Sequence, residues 1–292
     1  MKNKLLEIYD KHYRALQLIP TILIILAALV IGYTYYTTGD FVHKGVSLKG
    51  GSTITITQAI DVSSLESYLT SQFPKGDITV RSLTSAGSVI GISIESDAQS
   101  TSEIKVITSV LESKFNLKKE DYGVEVMGSA LGQAFFKQAF YALLIAFLLM
   151  AIVVFISFRN IIPSLAVLAA AASDLFVTLA IFNLTGLKLN TGGIAAFLML
   201  IGYSIDTDIL LTSRVLKRKE GTVFERVVSA MKTGLTMTAT TLSAVIVALI
   251  FIKSDIIKQI MLILLIGLIV DMIMTWIQNV SILRVYLEHK QK

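Results

Sequence analysis

Six stretches of mainly apolar residues, each close to the length that a helix needs to cross a bilayer, dominate the pattern of this chain. About 20 such residues span the hydrocarbon core of a membrane. The predicted spans cover residues 16–36, 136–158, 162–182, 192–211, 235–252 and 257–280. The first has the position of a signal peptide, but no small-residue cleavage site follows it, so we expect a retained helix.

The segment between the first two spans, residues 39–133, has the alternating and helical patterns of a small folded domain. Its predicted elements are a strand at 52–57, a helix at 62–73 after the possible cap Asp61, strands at 78–83 and 89–94, a helix at 104–115 and a strand at 122–126. The short polar connection between the second and third strands indicates a hairpin. This βαββαβ order predicts a ferredoxin-like domain.

Basic residues are distributed unevenly between the two sides of the predicted spans. Fourteen Lys and Arg residues flank the side that carries both chain ends, whereas the opposite short loops and span ends carry four. Because basic loops stay in the cytoplasm, both termini are predicted to be cytoplasmic and the domain at 39–133 extracytoplasmic.

The predicted fold class is therefore an α-helical polytopic membrane protein with six transmembrane helices plus an extracytoplasmic α+β domain. We divide it into an N-terminal part with the first helix (1–38), the ferredoxin-like domain (39–133) and a five-helix bundle (134–292). The predicted location is the cytoplasmic membrane, and membrane lipid is a predicted partner.

Composition and charge narrow the possible functions. Hydrophobic residues make up 54% of the 292 residues and the mean hydropathy is +0.71, which exceeds what a soluble domain of this size can bury. The net charge of +5 comes from Lys and Arg beside apolar segments, not from a basic and aromatic surface, so we do not expect nucleic-acid binding. The absence of cysteine excludes disulfides and Cys-ligated metals.

The domain at 39–133 contains no histidine cluster, nucleophile arrangement or phosphate loop. We therefore predict that the protein is not an enzyme and that it has no cofactor or metal. Because an antiparallel sheet can leave a face or an edge free for another chain, docking or guiding of a substrate is the favoured role. An ordinary solvated domain without a direct role is the alternative.

Two carboxylates, Asp206 and Asp208, interrupt the fourth span. A charged residue at the centre of a membrane helix costs roughly 2.5–3.5 kcal/mol on insertion scales, so both are functional candidates. Residues two apart on a helix point about 200° from each other, so the pair cannot share one face. Gly202 lies one turn before Asp206 and permits close helix approach. Ser204 and Thr212 flank Asp208 at the same spacing, and we expect their hydroxyls to hydrogen-bond it. The alternative role is an ion pair with Arg214 that fixes the helix end.

Two further carboxylates, Asp174 and Asp271, fall near the middle of the third and sixth spans, where snorkelling to the interface is difficult. Lys232 lies just before the fifth span, and the residues from 233 to 243 are rich in threonine. These hydroxyls either bond their own helix backbone or join the carboxylates in a polar seam between spans three to six. The connection from Arg214 to Lys232 reads as a short amphipathic segment on the cytoplasmic leaflet.

Two motifs add a family resemblance. The glycines Gly45, Gly50 and Gly51 lie in a segment that resembles the opening motif of the extracytoplasmic domain in the SecD and SecF export proteins. The run from Gly202 to Arg214 resembles the fourth-span motif of the same family, which belongs to the resistance-nodulation-division superfamily. The layout of one span, an external domain and five spans is also similar.

The resemblance implies a role in protein translocation beside the Sec translocon channel, with a homologous SecD-like partner that supplies six further spans and with a translocating polypeptide as substrate. It also implies proton movement through intramembrane carboxylates, with the Asp-Thr-Asp run at 206–208 resembling archaeal members more than bacterial ones. Bacterial relatives place a basic residue near Lys232. The other candidate functions are a non-energised assembly scaffold and a small-molecule or lipid transporter of the same superfamily.

Overall fold

The structure, a computed structural model, describes residues 2–58, 60–74, 76–85, 88–218, 220–252 and 254–290. It consists of a helical bundle and a small α+β domain, here called the sheet domain, which is inserted between the first and second long helices. The twelve α-helices assigned among these residues are α1 (Lys2–Lys11), α2 (Tyr13–Leu16), α3 (Leu18–Thr38), α4 (Val46–Lys49), α5 (Val62–Gln72), α6 (Thr101–Phe115), α7 (Ser129–Phe158), α8 (Ile161–Leu184), α9 (Thr191–Lys217), α10 (Val223–Phe251), α11 (Asp255–Ile273) and α12 (Val280–Lys290).

Six helical segments among the described residues are long and apolar enough to cross a membrane, which confirms the predicted number of spans. The central four are α7, α8, α9 and α10, and the first extends α3 back to Tyr13. The sixth runs from Ile256 to Lys290, because a π-helix at Met274–Asn279 (π1) joins α11 to α12 without a break.

One prediction about the bundle is wrong. The connection from Arg214 to Lys232 is not a separate amphipathic surface segment, because α9 continues to Lys217 and α10 already begins at Val223. The side chain of Thr222 accepts a hydrogen bond from the backbone N–H of Glu225, whose carboxylate accepts from the N–H of Thr222. This capping box starts α10 twelve residues before the predicted apolar run.

Helix α9 lies in the middle of the bundle. It packs against α7, α8, α11 and α10, and each helix of this series packs against the next around it. Helix α3 packs on α8 and on π1, on the far side of the bundle from α10. As a result, α8, α9 and the sixth span bury about half of their most apolar stretch, whereas α3, α7 and α10 leave most of theirs exposed.

The sheet domain has four antiparallel strands in the spatial order β2-β3-β1-β4. These are β1 (Gly51–Ile56), β2 (Thr79–Ser85), β3 (Ser88–Ser96) and β4 (Tyr122–Met127). With α5 after β1 and α6 after β3, the elements follow the predicted order of strand, helix, strand, strand, helix and strand. Asp61 caps α5 as expected by accepting from the N–H of Ser64 at 2.9 Å.

One face of the sheet carries the domain core. Alternate residues such as Ile54, Ile56, Ile92 and Ile94 are completely buried and pack against Leu65, Leu69 and Leu111 of the two helices. The edge strand β4 is the exception, because Val124 and Val126 stay largely exposed. The sheet domain is thus a complete small unit with its own core.

Candidate functional site

Three of the four candidate carboxylates meet inside the helical bundle. Asp174 of α8, Asp208 of α9 and Asp271 of α11 are each 0% exposed. They come from the three most deeply packed spans, and we call them, with the hydroxyl and amide groups that bond them, the carboxyl cluster. The fourth candidate, Asp206, lies on an exposed face of α9 outside it. The two acidic residues of α9 therefore point to different surroundings, as their spacing predicts.

Hydroxyl groups of α9 connect the helix to the carboxylates on both sides. Ser204 donates to Asp174 Oδ2. The hydroxyl of Thr207 lies 3.2 and 3.1 Å from the two carboxylate oxygens of Asp271, and also 2.9 Å from the carbonyl oxygen of Ser204. One turn of α9 therefore touches both neighbouring helices through groups that can donate and accept.

The sixth span contributes two further polar side chains to the cluster. Thr275 Oγ1 lies 3.0 Å from Asp271 Oδ1 and 3.1 Å from Asp208 Oδ1, and Asn279 Nδ2 donates to the same Asp208 oxygen at 2.7 Å. Thr275 and Asn279 belong to π1. Both side chains lie on the face of the sixth span that contacts Asp208.

Two carboxylate oxygens of the cluster accept no hydrogen bond from the described residues. Among the described residues, Asp174 Oδ1 and Asp208 Oδ2 are buried without a hydrogen-bond partner. None of the salt bridges within the described ranges includes Asp174, Asp208 or Asp271. In the same part of the chain, no three His, Asp or Glu side chains are arranged to hold a metal ion.

The predicted basic residues lie elsewhere. Arg214 donates to the carbonyl oxygen and the hydroxyl of Ser229 at 2.8 and 3.0 Å, so the expected alternative of an ion pair with the α9 carboxylates is not observed within the described residues. Lys232 is exposed on α10. The carboxyl cluster therefore contains no contribution from either cation.

The fifth span is also largely absent from the cluster, which corrects the expected four-helix seam. Its exposed hydroxyls at Thr236, Thr240, Thr241 and Ser243 bond carbonyl oxygens of their own helix, the simpler of the two predicted roles. Sequence reasoning singled out neither Thr207 nor Thr275 nor Asn279 as partners of the carboxylates. The helical spacing of Asp271, Thr275 and Asn279, four residues apart along one span, was the signal available for two of them.

The glycine motif lies at the junction between the sheet domain and the bundle. Gly50 and Gly51 have φ angles of 92° and 140°, and a Cβ on Gly50 would lie 2.5 Å from Ser129 Cα at the start of α7. Leu48 of α4 is fully buried in the same apolar cluster as Phe182 and Leu200 of the bundle. The motif glycines thus let the chain turn into β1 while α4 packs into the bundle.

A second set of bonds joins the sheet domain to the loop between α8 and α9. Gly45 donates its N–H to Leu189 O at 2.7 Å, and the N–H of Leu189 donates to His43 O at 2.6 Å. Lys188 Nζ bonds Asp77 at 2.9 Å, and Lys49 bonds the same carboxylate. Burial raises the pKa of Asp77, but the two lysines outweigh this effect and hold its pKa below the usual range.

Within the described residues, the six apolar helices define a multi-pass membrane protein with a polar cluster buried among its helices and one docked α+β domain. The model of the family "Protein export membrane protein SecD/SecF, C-terminal" matches residues 106–289. The chain belongs to this SecD/SecF family of protein-export membrane proteins, which confirms the resemblance drawn from the two motifs.

Relatives from archaea cover all or nearly all of the chain. The "Protein-export membrane protein SecF" of Pyrococcus furiosus is 36% identical over 292 residues, which are 100% of this chain and 97% of the relative. The protein of the same name from Methanocaldococcus jannaschii is 37% identical over 294 residues, covering 97% of this chain and 99% of the relative.

Solved structures share the fold at lower identity. SecDF of Thermus thermophilus, described as a translocon-associated membrane protein, aligns with a TM-score of 0.74 and 20% identity over 96% of this chain. The present chain spans only 38% of that SecDF chain. A heavy metal efflux pump aligns with a TM-score of 0.50 and 17% identity over 69% of this chain.

Proposed function

We propose that this chain is the SecF-type subunit of a Sec-dependent export system and assists the translocation of polypeptides across the cytoplasmic membrane. The full-length similarity to relatives named for protein export carries this conclusion. This chain spans only 38% of the similar SecDF chain. We therefore propose as partner a SecD-like subunit that corresponds to the rest of that SecDF chain. The Sec channel and the translocating polypeptide are the remaining proposed partners.

The arrangement of basic residues supports the proposed orientation. Arg159 follows the end of α7, Arg214 lies in the last turn of α9 and Arg226 in the first turns of α10, all at helix ends remote from the sheet domain. Since basic flanks stay in the cytoplasm, both termini face the cytoplasm in this proposal. The sheet domain then lies outside the cell, where an emerging polypeptide would meet it.

We further propose that the carboxyl cluster binds and passes protons. Three ionised carboxyl groups without a cationic partner would be very costly in an apolar interior. Neutralisation by protons removes most of this cost, and the hydroxyls of Ser204, Thr207 and Thr275 can relay them because each donates and accepts. The cluster therefore has both the binding groups and the connections of a proton relay.

The position of Thr275 supports a shared proton. Its hydroxyl lies within hydrogen-bonding distance of both Asp208 and Asp271, but it has a single hydrogen to donate. When Thr275 donates to one carboxylate, a bond to the other requires that this second carboxyl group carries the proton. The geometry thus suits a pair that holds one proton in two alternative positions.

Replacement of the three carboxylates by amides tests the proposal. Asp174→Asn, Asp208→Asn and Asp271→Asn, separately and together, are expected to reduce export of a secretory reporter at least tenfold. We also expect them to abolish proton uptake by proteoliposomes that contain the chain and its SecD-like partner. The physical reason is that an amide keeps the size and polarity of the carboxyl group but does not bind or release a proton near neutral pH.

Three results would each contradict a different part of the proposal. Full export with all three residues replaced would exclude proton coupling and leave the non-energised scaffold as the function. Ion uptake that follows the sodium gradient and ignores pH would assign the cluster to another cation. Normal export in cells that lack the chain would remove the export role itself.

A further inference from the structure

Helix α1 contacts the sixth span beside the carboxyl cluster. The hydroxyl of Tyr9 donates to the backbone carbonyl oxygen of Trp276. Trp276 belongs to π1 and directly follows Thr275 along the chain. The hydroxyl of Thr275 lies within bonding distance of both Asp208 and Asp271. A side chain of α1 therefore bonds the residue next to the donor that two carboxylates of the cluster share.

The backbone hydrogen bonds of π1 leave the Trp276 carbonyl oxygen free for this donor. In an α-helix, this oxygen would accept from the N–H of Val280, four residues later. The N–H of Val280 instead bonds the carbonyl oxygens of Thr275 and Ile277. Within the described residues, Trp276 O accepts from Tyr9 in place of its α-helical donor. Because a buried backbone carbonyl needs a donor, the bond from Tyr9 favours the π-helical pattern over the α-helical one.

Packing against α10 holds the side chain of the same residue. A Cβ on Gly234 of α10 would lie 2.3 Å from Trp276 Cζ2, so the indole ring packs closely against this glycine. Trp276 is only 4% exposed. Tyr9 packs against the apolar cluster that contains Trp276, Val280 and Leu283. Helix α10 thus fixes the indole ring, and α1 fixes the carbonyl oxygen.

Other contacts hold α1 and α2 on the sixth span. Asp10 Oδ1 accepts from Arg284 Nη2 at 2.7 Å. Ser281 Oγ donates to the carbonyl oxygen of Tyr13 at 2.9 Å, and the hydroxyl of Tyr13 donates to Glu288. These contacts remain when the hydroxyl that bonds π1 is removed, so α1 keeps its place without it.

We infer that α1 positions the carboxyl cluster, and that Tyr9 is a positioning residue that holds Thr275 between its two carboxylates. The inference deepens the proposed proton relay, and it rests on that proposal for the function of the cluster. Without the bond from Tyr9, the N–H of Val280 moves towards its α-helical acceptor, Trp276 O. Thr275 then loses the backbone bond from Val280 that fixes its position.

Hydrogen exchange of the full chain in detergent tests the contact. Tyr9→Phe keeps the ring but removes the hydroxyl, so the amides of residues 276–281 should exchange about fivefold faster, the factor expected for one lost hydrogen bond. Tyr13→Phe is the matched control, because its hydroxyl bonds Glu288 of α12 instead of a residue of π1. The control should exchange at the wild-type rate in these residues. Equal rates in the two variants, whether fast or slow, would overturn the inference.

Infrared spectroscopy tests the effect on the cluster. The frequency of the C=O stretching band of a protonated carboxyl group depends on its hydrogen bonds, so Tyr9→Phe should shift the band that disappears in Asp208→Asn or Asp271→Asn. Tyr13→Phe should leave this band unchanged. An unshifted band in Tyr9→Phe would overturn the inference, because the cluster would then be independent of α1.

Proton uptake by the reconstituted complex separates this inference from the proposed function. Tyr9→Phe should reduce uptake about threefold, less than the loss of the Thr275 hydroxyl itself, because the donor is displaced and not removed. Wild-type uptake in Tyr9→Phe would contradict a positioning role. If the wild-type complex takes up no protons, the proposed relay fails, whereas hydrogen exchange in π1 still decides whether Tyr9 holds Thr275.

Discussion

Thr275 connects two of the three carboxylates of the carboxyl cluster. Its hydroxyl is the only group in the described cluster that lies within bonding distance of both Asp208 and Asp271. Thr207, by contrast, reaches both oxygens of Asp271 but does not reach Asp208. Loss of the Thr275 hydroxyl would therefore remove the donor that the carboxylates of α9 and the sixth span share, while the Thr207–Asp271 and Asn279–Asp208 bonds remain.

We predict that Thr275→Val reduces proton uptake by the reconstituted complex at least fivefold. Valine has nearly the same shape, so the packing of π1 is retained, but the buried carboxylates lose a hydrogen bond, which costs about 1–3 kcal/mol. Thr275→Ser keeps the hydroxyl and serves as the control, with uptake close to that of the wild-type protein. Equal uptake by both variants would show that no proton passes through this group.

At the level of single residues, the sequence showed which side chains are costly to place in a membrane, but it did not show their hydrogen-bond partners. Asp174, Asp208 and Asp271 stood out because a carboxylate inside an apolar run needs a reason. The same argument applied equally to Asp206, which the structure places on an exposed face. Thr275 and Asn279 carry no charge, so only their spacing of four and eight residues from Asp271 marked them, and that spacing does not identify Asp208 as their partner.

At the level of elements, the helices extend beyond their apolar runs where they contact other parts of the protein. Helix α7 begins at Ser129, seven residues before the predicted span, because Gly132 packs against Gly50 and Leu48 of the junction. A hydropathy pattern identifies the residues that contact lipid. It therefore misses helix ends that pack against other parts of the protein. It also cannot detect π1, which the apolar pattern of the sixth span does not distinguish from an α-helix.

The motif glycines provide a prediction about the turn from α4 into β1. Gly50→Ala and Gly51→Ala should each destabilise the sheet domain by about 2 kcal/mol or more, because a side chain at positive φ is strained and its Cβ would overlap Ser129 or Ser96. The measurement is the thermal unfolding midpoint in detergent. Gly123→Ala in β4 is the control, since its Cβ meets nothing within 4 Å. A drop no larger than that of the control would refute the role of the motif.

At the level of the whole molecule, polar contacts add to the packing of α4 in holding the sheet domain against the bundle. Besides the bonds of Leu189 and Lys188, Lys258 at the start of α11 bonds Thr84 of β2. Gln259 joins the same region to the α8–α9 loop by accepting from the N–H of Asn190 at 2.9 Å. The sequence predicted the domain and the bundle separately, but the contacts between them come from loops and helix ends that no periodic pattern marks.

The Asp77 contact should weaken in acid. Because its pKa in the folded protein lies below the usual range, the contact is fully present above the unfolded pKa of about 3.9 and is lost as the pH falls through the lower, folded value. The gain is small, on the order of 0.5 kcal/mol for each partly exposed pair. Asp77→Asn should remove the pH dependence and increase hydrogen exchange in residues 188–190 at neutral pH.

Hydrogen exchange measured by mass spectrometry between pH 3 and pH 7 checks this prediction, after correction for the intrinsic exchange rate. Glu120→Gln is the control, because Glu120 is exposed and forms no salt bridge within the described residues. An unchanged acid response in Asp77→Asn would show that another group governs the docking.

The attachment of Leu189 has a mechanical consequence. Helix α9 begins two residues later and contains 27 residues, which makes it a rod about 40 Å long. Backbone hydrogen bonds from His43 and Gly45 hold the chain just before one end of this helix. The helix carries Ser204, Thr207 and Asp208 near its midpoint. As long as these bonds hold, we expect a force on the sheet domain along the α9 axis to be transmitted by this helix to Ser204, Thr207 and Asp208.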